Sequence, residues 1–114
     1  MNIRQKRLSN SIAKLIAEII QFELHDPDLG LITISDVTVS SDLALAKVYV
    51  MITGDEKLKE RSLKALDNSR GFIRKRLAQQ LTTYTAPKIQ FYYDDTLDKA
   101  QRIDELLKAG KATD

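Results

Sequence analysis

The chain reads as a single α+β domain, in the order helix, strand, strand, kinked helix, strand, short helix. A three-stranded sheet is expected to be covered by helices on one side. Three observations predict this. Apolar residues recur at helical spacing over residues 4–24 and again over 58–81. They alternate with a period of two over 31–39, 44–52 and 88–93. Turn-forming Pro, Gly, Asp and Ser punctuate the boundaries between these stretches.

In the first helix Leu8, Ile12, Leu15, Ile16, Ile19 and Glu23 hold one face, with Leu24 still in register. Asp26-Pro27-Asp28-Leu29-Gly30 ends it, because proline cannot continue a helix and Asp and Gly supply turn chemistry. Residues 31–39 are rich in Ile, Val and Thr, but their alternation changes phase between Ile34 and Val37. A β-bulge near Ser35-Asp36 is the expected remedy. Ser40-Ser41-Asp42 then turns the chain into a second strand, and the short connection predicts an antiparallel hairpin.

Thr53-Gly54-Asp55-Glu56 matches a capping box for the next helix. Leu58, Ser62, Ala65, Leu66, Ser69, Ile73, Leu77 and Leu81 keep one face of that helix. Gly71 falls inside the run, where glycine costs about 1 kcal/mol relative to alanine, and it marks a kink or a joint between two helices. After Ala86-Pro87, the residues Ile89, Phe91 and Tyr93 alternate with Lys88, Gln90 and Tyr92 as a third strand. Asp95 or Thr96 caps a short last helix bearing Leu97, Ala100, Ile103 and Leu107. One domain over residues 1–108 and a frayed tail over 109–114 complete the expected organisation.

At 114 residues and 43% apolar content the chain can bury one modest core without staples. It has no cysteine, which excludes disulfides and thiolate metal sites and fits a reducing cytoplasm. No stretch approaches the roughly 18 consecutive apolar residues of a membrane span. The first 22 residues are basic and amphipathic, superficially like a transit peptide. Their stripe runs cleanly to a stop, as in a packed core helix, and that reading is preferred.

Charge distribution is the strongest pointer to function. The net charge is only +2, yet residues 57–88 carry nine Lys and Arg against Glu60 and Asp67, a local balance of +7. On the side of the kinked helix opposite its apolar face lie Lys57, Arg61, Lys64, Asn68, Gly71 and Lys75, while Arg70 and Arg74 flank one edge of the apolar face. Such a ridge is about 27 Å long at 1.5 Å per residue and matches a run of phosphates. A merely solvated face usually mixes Lys with Glu, and this one does not. Gly71, lacking a side chain, would let a sugar–phosphate backbone approach closely. Arg4, Lys6 and Arg7 form a second basic cluster at a helix N-terminus, against the helix dipole.

Catalytic chemistry is not visible. His25 is the only histidine and sits at a helix end; Asp94-Asp95 and the pair Asp26 and Asp28 read as turn and cap residues. There is no phosphate-cradling glycine loop, no nucleophile elbow and no HExxH. Neither catalytic residues, nor a metal site, nor a cofactor is expected. Of the consecutive Phe91, Tyr92 and Tyr93, core packing suits Phe91 and Tyr93, while a ring facing the other way could stack on a base. A nucleic-acid-binding protein is therefore the leading expectation. A protein-interaction module docking an acidic partner is the alternative.

The chain resembles the ribosome-binding factor A family over essentially its whole length. The matching features are Arg4-x-x-Arg7-Leu8, Asp26-Pro27-Asp28-Leu29-Gly30, Ser41-Asp42-Leu43-x-x-Ala46-Lys47-Val48-Tyr49-Val50, Gly71-Phe72-Ile73-Arg74, Pro87-x-Ile89-x-Phe91 and Tyr93-Asp94-Asp95-Thr96-Leu97, running into Arg102-Ile103-Asp104-x-Leu106-Leu107. The resemblance implies a type II KH-like fold and a monomer that binds the free small (30S) ribosomal subunit and its 16S rRNA. It also implies late subunit maturation, 5′-end processing and growth in the cold, with an assembly GTPase as a further partner. In place of the GxxG loop of ordinary KH domains the family has a helix kink marked Ala-x-Gly, here Ser69-Arg70-Gly71. Shape and phosphate recognition is then expected rather than single-strand clamping. The longer charged tail of some members is not expected after the last helix.

Overall fold

Four helices and three strands make up the computed structural model, which describes residues 1–82 and 84–112. In chain order they are α1 (Ile3–Phe22), β1 (Leu31–Val39), β2 (Leu45–Thr53), α2 (Glu56–Asn68), α3 (Arg70–Gln80), β3 (Lys88–Tyr93) and α4 (Thr96–Ala112). The α+β class and the element order agree with the sequence reading.

Asn2 caps α1. Its side chain accepts from the Gln5 amide at 2.8 Å while the Gln5 side chain accepts from the Asn2 amide at 2.9 Å. This reciprocal cap offsets the lack of acidic residues in a first turn that carries Arg4 and Lys6. Leu8, Ile12, Ile16 and Ile19 are buried on the expected stripe. Asp26 accepts from the Asp28 amide at 2.9 Å and turns the chain. The turn is fastened to α2 by Ser62, fully buried, whose Oγ accepts from the Gly30 amide at 2.9 Å and donates to the Asp28 carbonyl at 3.1 Å.

β1 and β2 pair antiparallel, with a register shift between Ile34 and Asp36 where the alternation changes phase. The hairpin turn places Leu43 at φ 61°, supported by Asp42, which accepts from the Ser40 hydroxyl at 2.6 Å and the Ala44 amide at 3.1 Å. These donors hold the Asp42 carboxyl below the usual carboxylate range. β3 adds beside β2 in parallel, giving the order β1-β2-β3. A parallel pair needs a long crossover, and α2–α3 supply it. Val37, Val39, Ala46, Val48, Val50, Ile52, Ile89 and Phe91 face the helices and meet Leu8, Ile12, Ile16, Ile19, Leu66, Ile73 and Leu77 in one core.

Two sequence expectations are corrected, the cap of α2 and the length of the last helix. Asp55, not Thr53, caps α2, accepting from the Leu58 amide at 2.8 Å. Gly54 occupies φ 143° with Leu58 packed against it, so the chain enters the helix two residues later than the capping-box reading. The expected joint between two helices forms within Ser69-Arg70-Gly71: the break lies at Ser69 (φ −92°, ψ 0°), and Gly71 is the second residue of α3. The last helix is not short: α4 runs 17 residues, through 109–112, with 113 and 114 outside the described residues. Its Leu97, Ile103, Leu106 and Leu107 are 55–67% exposed, and the molecule is accordingly long, 60 × 36 × 17 Å.

Candidate nucleic-acid interface

On α2 the residues Ser62, Ala65 and Leu66 turn inward, which leaves Lys57, Arg61 and Lys64 on the outer face, all exposed. Their spacing of four and three residues keeps them on one side of the helix. Across the break at Ser69, Arg70, Gly71, Arg74 and Lys75 are likewise exposed, while Ile73 and Leu77 are buried. Gly71, Arg74, Lys75 and Ala78 meet Thr85 and Ala86 around a shallow cavity of about 380 Å³.

Among the described residues, Lys57, Arg61, Lys64, Arg74 and Lys75 form no ion pair. Arg70 lies 3.9 Å from Asp67, at the surface, and its Nε donates to the Asp67 carbonyl at 3.1 Å. Arg74 directs Nε and Nη2 at the Ala86 carbonyl, at 3.4 and 3.3 Å. Those bonds anchor the guanidinium, whose remaining N–H groups are left to point outward. A methyl group built on Gly71 would meet nothing within 4 Å. The glycine is therefore not required by packing inside this chain, and the space above it is open to a ligand.

Two helix cations of the basic stretch are withdrawn from this face, and Lys88 lies apart on β3. Arg76 reaches across to α1 and pairs with Glu23 at 2.7 Å. Lys59 turns to the start of α4, where Nζ is 3.2 Å from each Asp98 oxygen and 5.4 Å from the centre of the Tyr93 ring. The Tyr93 hydroxyl donates to Asp98 at 2.5 Å, which together with Lys59 holds the Asp98 carboxyl below the usual range. The Tyr93 hydroxyl in turn supports the charge on Lys59, ahead of Asp98, and raises its pKa.

Arg4 and Arg7 are exposed but do not join the α2–α3 patch. They occupy the end of α1 whose Gln5 donates to the Val39 carbonyl, whereas Arg76 of α3 meets α1 at Glu23. Arg7 and Glu23 are about 24 Å apart along the helix at 1.5 Å per residue. The remaining polar residues have structural roles. His25 is an exposed residue beyond the end of α1. Asp94 accepts from the Thr96 hydroxyl at 2.6 Å and its amide at 3.0 Å, which lowers its pKa and starts α4. Among the described residues no three His, Asp or Glu side chains group to hold a metal, and no helix is long and apolar enough to cross a membrane.

One constellation escaped the sequence reading. Tyr49 and Tyr92 stack across β2 and β3, centroids 5.6 Å apart, on the sheet face away from the helices. Lys47 lies 6.0 Å from the Tyr92 ring. The alternation of each strand shows that these residues face outward, but only the parallel register brings them together.

Residues 4–107 match the family model described as ribosome-binding factor A. A ribosome-binding factor A of Halothermothrix orenii (strain H 168) is 43% identical over 108 residues, covering 95% of this chain and 88% of the relative. The crystal structure of ribosome-binding factor A from Thermus thermophilus superposes with a TM-score of 0.69 at 29% identity, over 78% of this chain and 93% of that one. A homology model of the Thermus thermophilus factor, fitted into a cryo-EM map of a 30S complex, gives a TM-score of 0.61 at 26% identity, over 83% and 96%. The sequence match along nearly the full length, and the fold shared with the solved structure, make this chain a member of the ribosome-binding factor A family.

Proposed function

We propose that this protein binds the free small (30S) ribosomal subunit through 16S rRNA and assists its late maturation, including processing of the 5′ end and growth in the cold. It acts without catalysis, as a cytoplasmic monomer, with an assembly GTPase as a further partner. The reading is supported by family membership and by the 30S complex into whose cryo-EM map the Thermus thermophilus factor was fitted. The observation that carries it is the outer face of α2–α3, where Lys57, Arg61, Lys64, Arg74 and Lys75 have no carboxylate partner among the described residues and Gly71 leaves open space between them. Five cations without an internal carboxylate are counter-charges for an external polyanion. Arg70, loosely held by Asp67, adds to them, and Arg4 and Arg7 supply a separate contact.

Preformed cations on packed helices recognise phosphate positions and helical shape rather than base sequence. Binding then favours one arrangement of precursor rRNA to the extent that the arrangements differ in affinity for this face. The test is co-sedimentation with purified small subunits across a salt series. Neutralising about five phosphates gives a log–log slope of roughly −3.5 to −4.5. A salt-independent affinity would overturn the proposal. Survival of the complex after nuclease treatment would point instead to an acidic protein partner.

A further inference from the structure

The sheet has a second face, and its side chains are not those of a solvated surface. Cross-strand pairing sets three rows there: Leu45 beside Lys88, Lys47 beside Gln90, and Tyr49 beside Tyr92. The two tyrosine rings stack at 28°, and Tyr92 is 40% exposed although its hydroxyl is held by Gln90 at 2.8 Å. The helices pack on the opposite face, against Val48, Val50, Ile89 and Phe91. Both cations of this face, Lys47 and Lys88, are exposed and form no ion pair among the described residues. Asp36 of β1 is the cross-strand partner of Tyr49 and borders the tyrosine row, Asp94 follows β3, and each carboxylate accepts from a nearby backbone amide. The β2–β3 half from Leu45 to Tyr49 and from Lys88 to Tyr92 thus combines aromatic faces with positive charge, and at its border with β1 the Asp36 carboxylate is turned to the Val37 amide.

We propose that this half of the sheet is a second RNA surface, on which Tyr92 and Tyr49 stack unpaired bases while Lys47 and Lys88 meet the flanking phosphates. Two features favour a single strand over another occupant. Stacked rings with a cation beside them fit a base followed by its phosphate. Successive outward residues are about 6.6 Å apart along a strand, so the sheet offers contacts to several consecutive nucleotides. The surface is separate from the α2–α3 face, which meets phosphates without presenting a ring pair. The proposal rests on RNA being the partner.

Affinity is measured for a short unstructured oligouridine and for an A-form RNA duplex, with the melting temperature followed for each variant. Tyr92→Ala is expected to weaken oligouridine binding at least about fivefold, the loss of one stacked base. Tyr92→Phe should keep the affinity, and both should leave duplex binding unchanged. Lys47→Glu with Lys88→Glu, at exposed positions, tests the same surface should the alanine variant fold poorly. Wild-type affinity for oligouridine in Tyr92→Ala, or in the Lys double variant, would overturn the inference, as would a wild-type protein that does not bind the oligonucleotide. So would a loss of self-association in Tyr92→Ala, which would assign the face to contact between copies. Persistent salt-dependent duplex binding in these cases would leave the 30S reading standing, whereas absence of binding to either RNA or to subunits would remove both.

Discussion

Lys57 and Lys59 stand two residues apart on α2 and meet opposite fates. Lys57, with Arg61 and Lys64, projects from the outer face without a partner among the described residues. Lys59 is enclosed by Asp98 and Tyr93 where α4 begins. α3 repeats the contrast one residue apart, since Lys75 is free of such pairing while Arg76 ties the helix to Glu23 of α1. The same residue types therefore do two jobs, and helical phase assigns them. Cations aligned with the core stripe lie near carboxylates of neighbouring elements, and cations opposite it have only solvent or a ligand. A local charge of +7 overstates the available charge by the two that the fold uses itself.

The contrast can be broken by reversing charge on each side of it. Lys57→Glu, Arg61→Glu and Lys64→Glu together should weaken binding to small subunits more than tenfold and make the salt slope shallower by about 2 to 3. The melting temperature should stay nearly constant, because none of the three has an internal partner to lose; unfolding would show that α2 needs them. Arg76→Glu should do the reverse. It sets a carboxylate against Glu23 in a half-buried seam, costing about 1–2 kcal/mol in thermal or denaturant unfolding. Subunit affinity measured well below the melting point should be unchanged.

The Lys59–Asp98–Tyr93 cluster gives a pH dependence. The Asp98 carboxyl is lowered, first by the Tyr93 hydroxyl and then by Lys59, so its contribution is complete above the ordinary carboxylate value near 3.8. That contribution disappears as pH falls through the lowered value. Lys59 is raised, so its share is present below the ordinary value of 10.5 and disappears as pH rises through the raised one. Helical circular dichroism from α4 should therefore hold through neutral pH and drop at both extremes. Asp98→Asn should shrink the acid limb of that curve, leaving the share that Asp94 supplies at the start of α4. The smallest effect is expected from Gly71→Ala. Helix propensity should add up to about 1 kcal/mol of stability, since the new methyl meets nothing. Weaker subunit binding in that more stable protein would show that a ligand backbone comes close there.

The elements are legible in the sequence because each answers to a local rule. The apolar stripe of α1, the phase change that becomes the bulge at Ile34–Asp36 and the inward face from Ser62 to Leu77 all depend on spacing alone. The cations of the outer face are legible for the same reason. What is not legible depends on partners distant in the chain. Ser62 looks like a small residue on a helix face until Asp28 and Gly30 arrive, more than thirty positions away. The orientation of β3, and with it the tyrosine stack, is set by tertiary packing. The capping box at Thr53 does not form because Leu58 and the positive φ of Gly54 delay the helix start. The expectation of a short last helix breaks down because helical spacing says nothing about cover, and α4 continues with its apolar residues exposed.

The parallel pairing of β2 with β3 has a mechanical consequence. The only covalent route between those strands runs through α2 and α3, so the helices bearing the free cations are also the strap that brings the edge strand home. Neither can peel away while the other stays seated. Amides of β3 and of both helices should exchange with deuterium as one cooperative unit, and an incoming polyanion meets a stiff, prearranged array rather than a loop that must first be ordered.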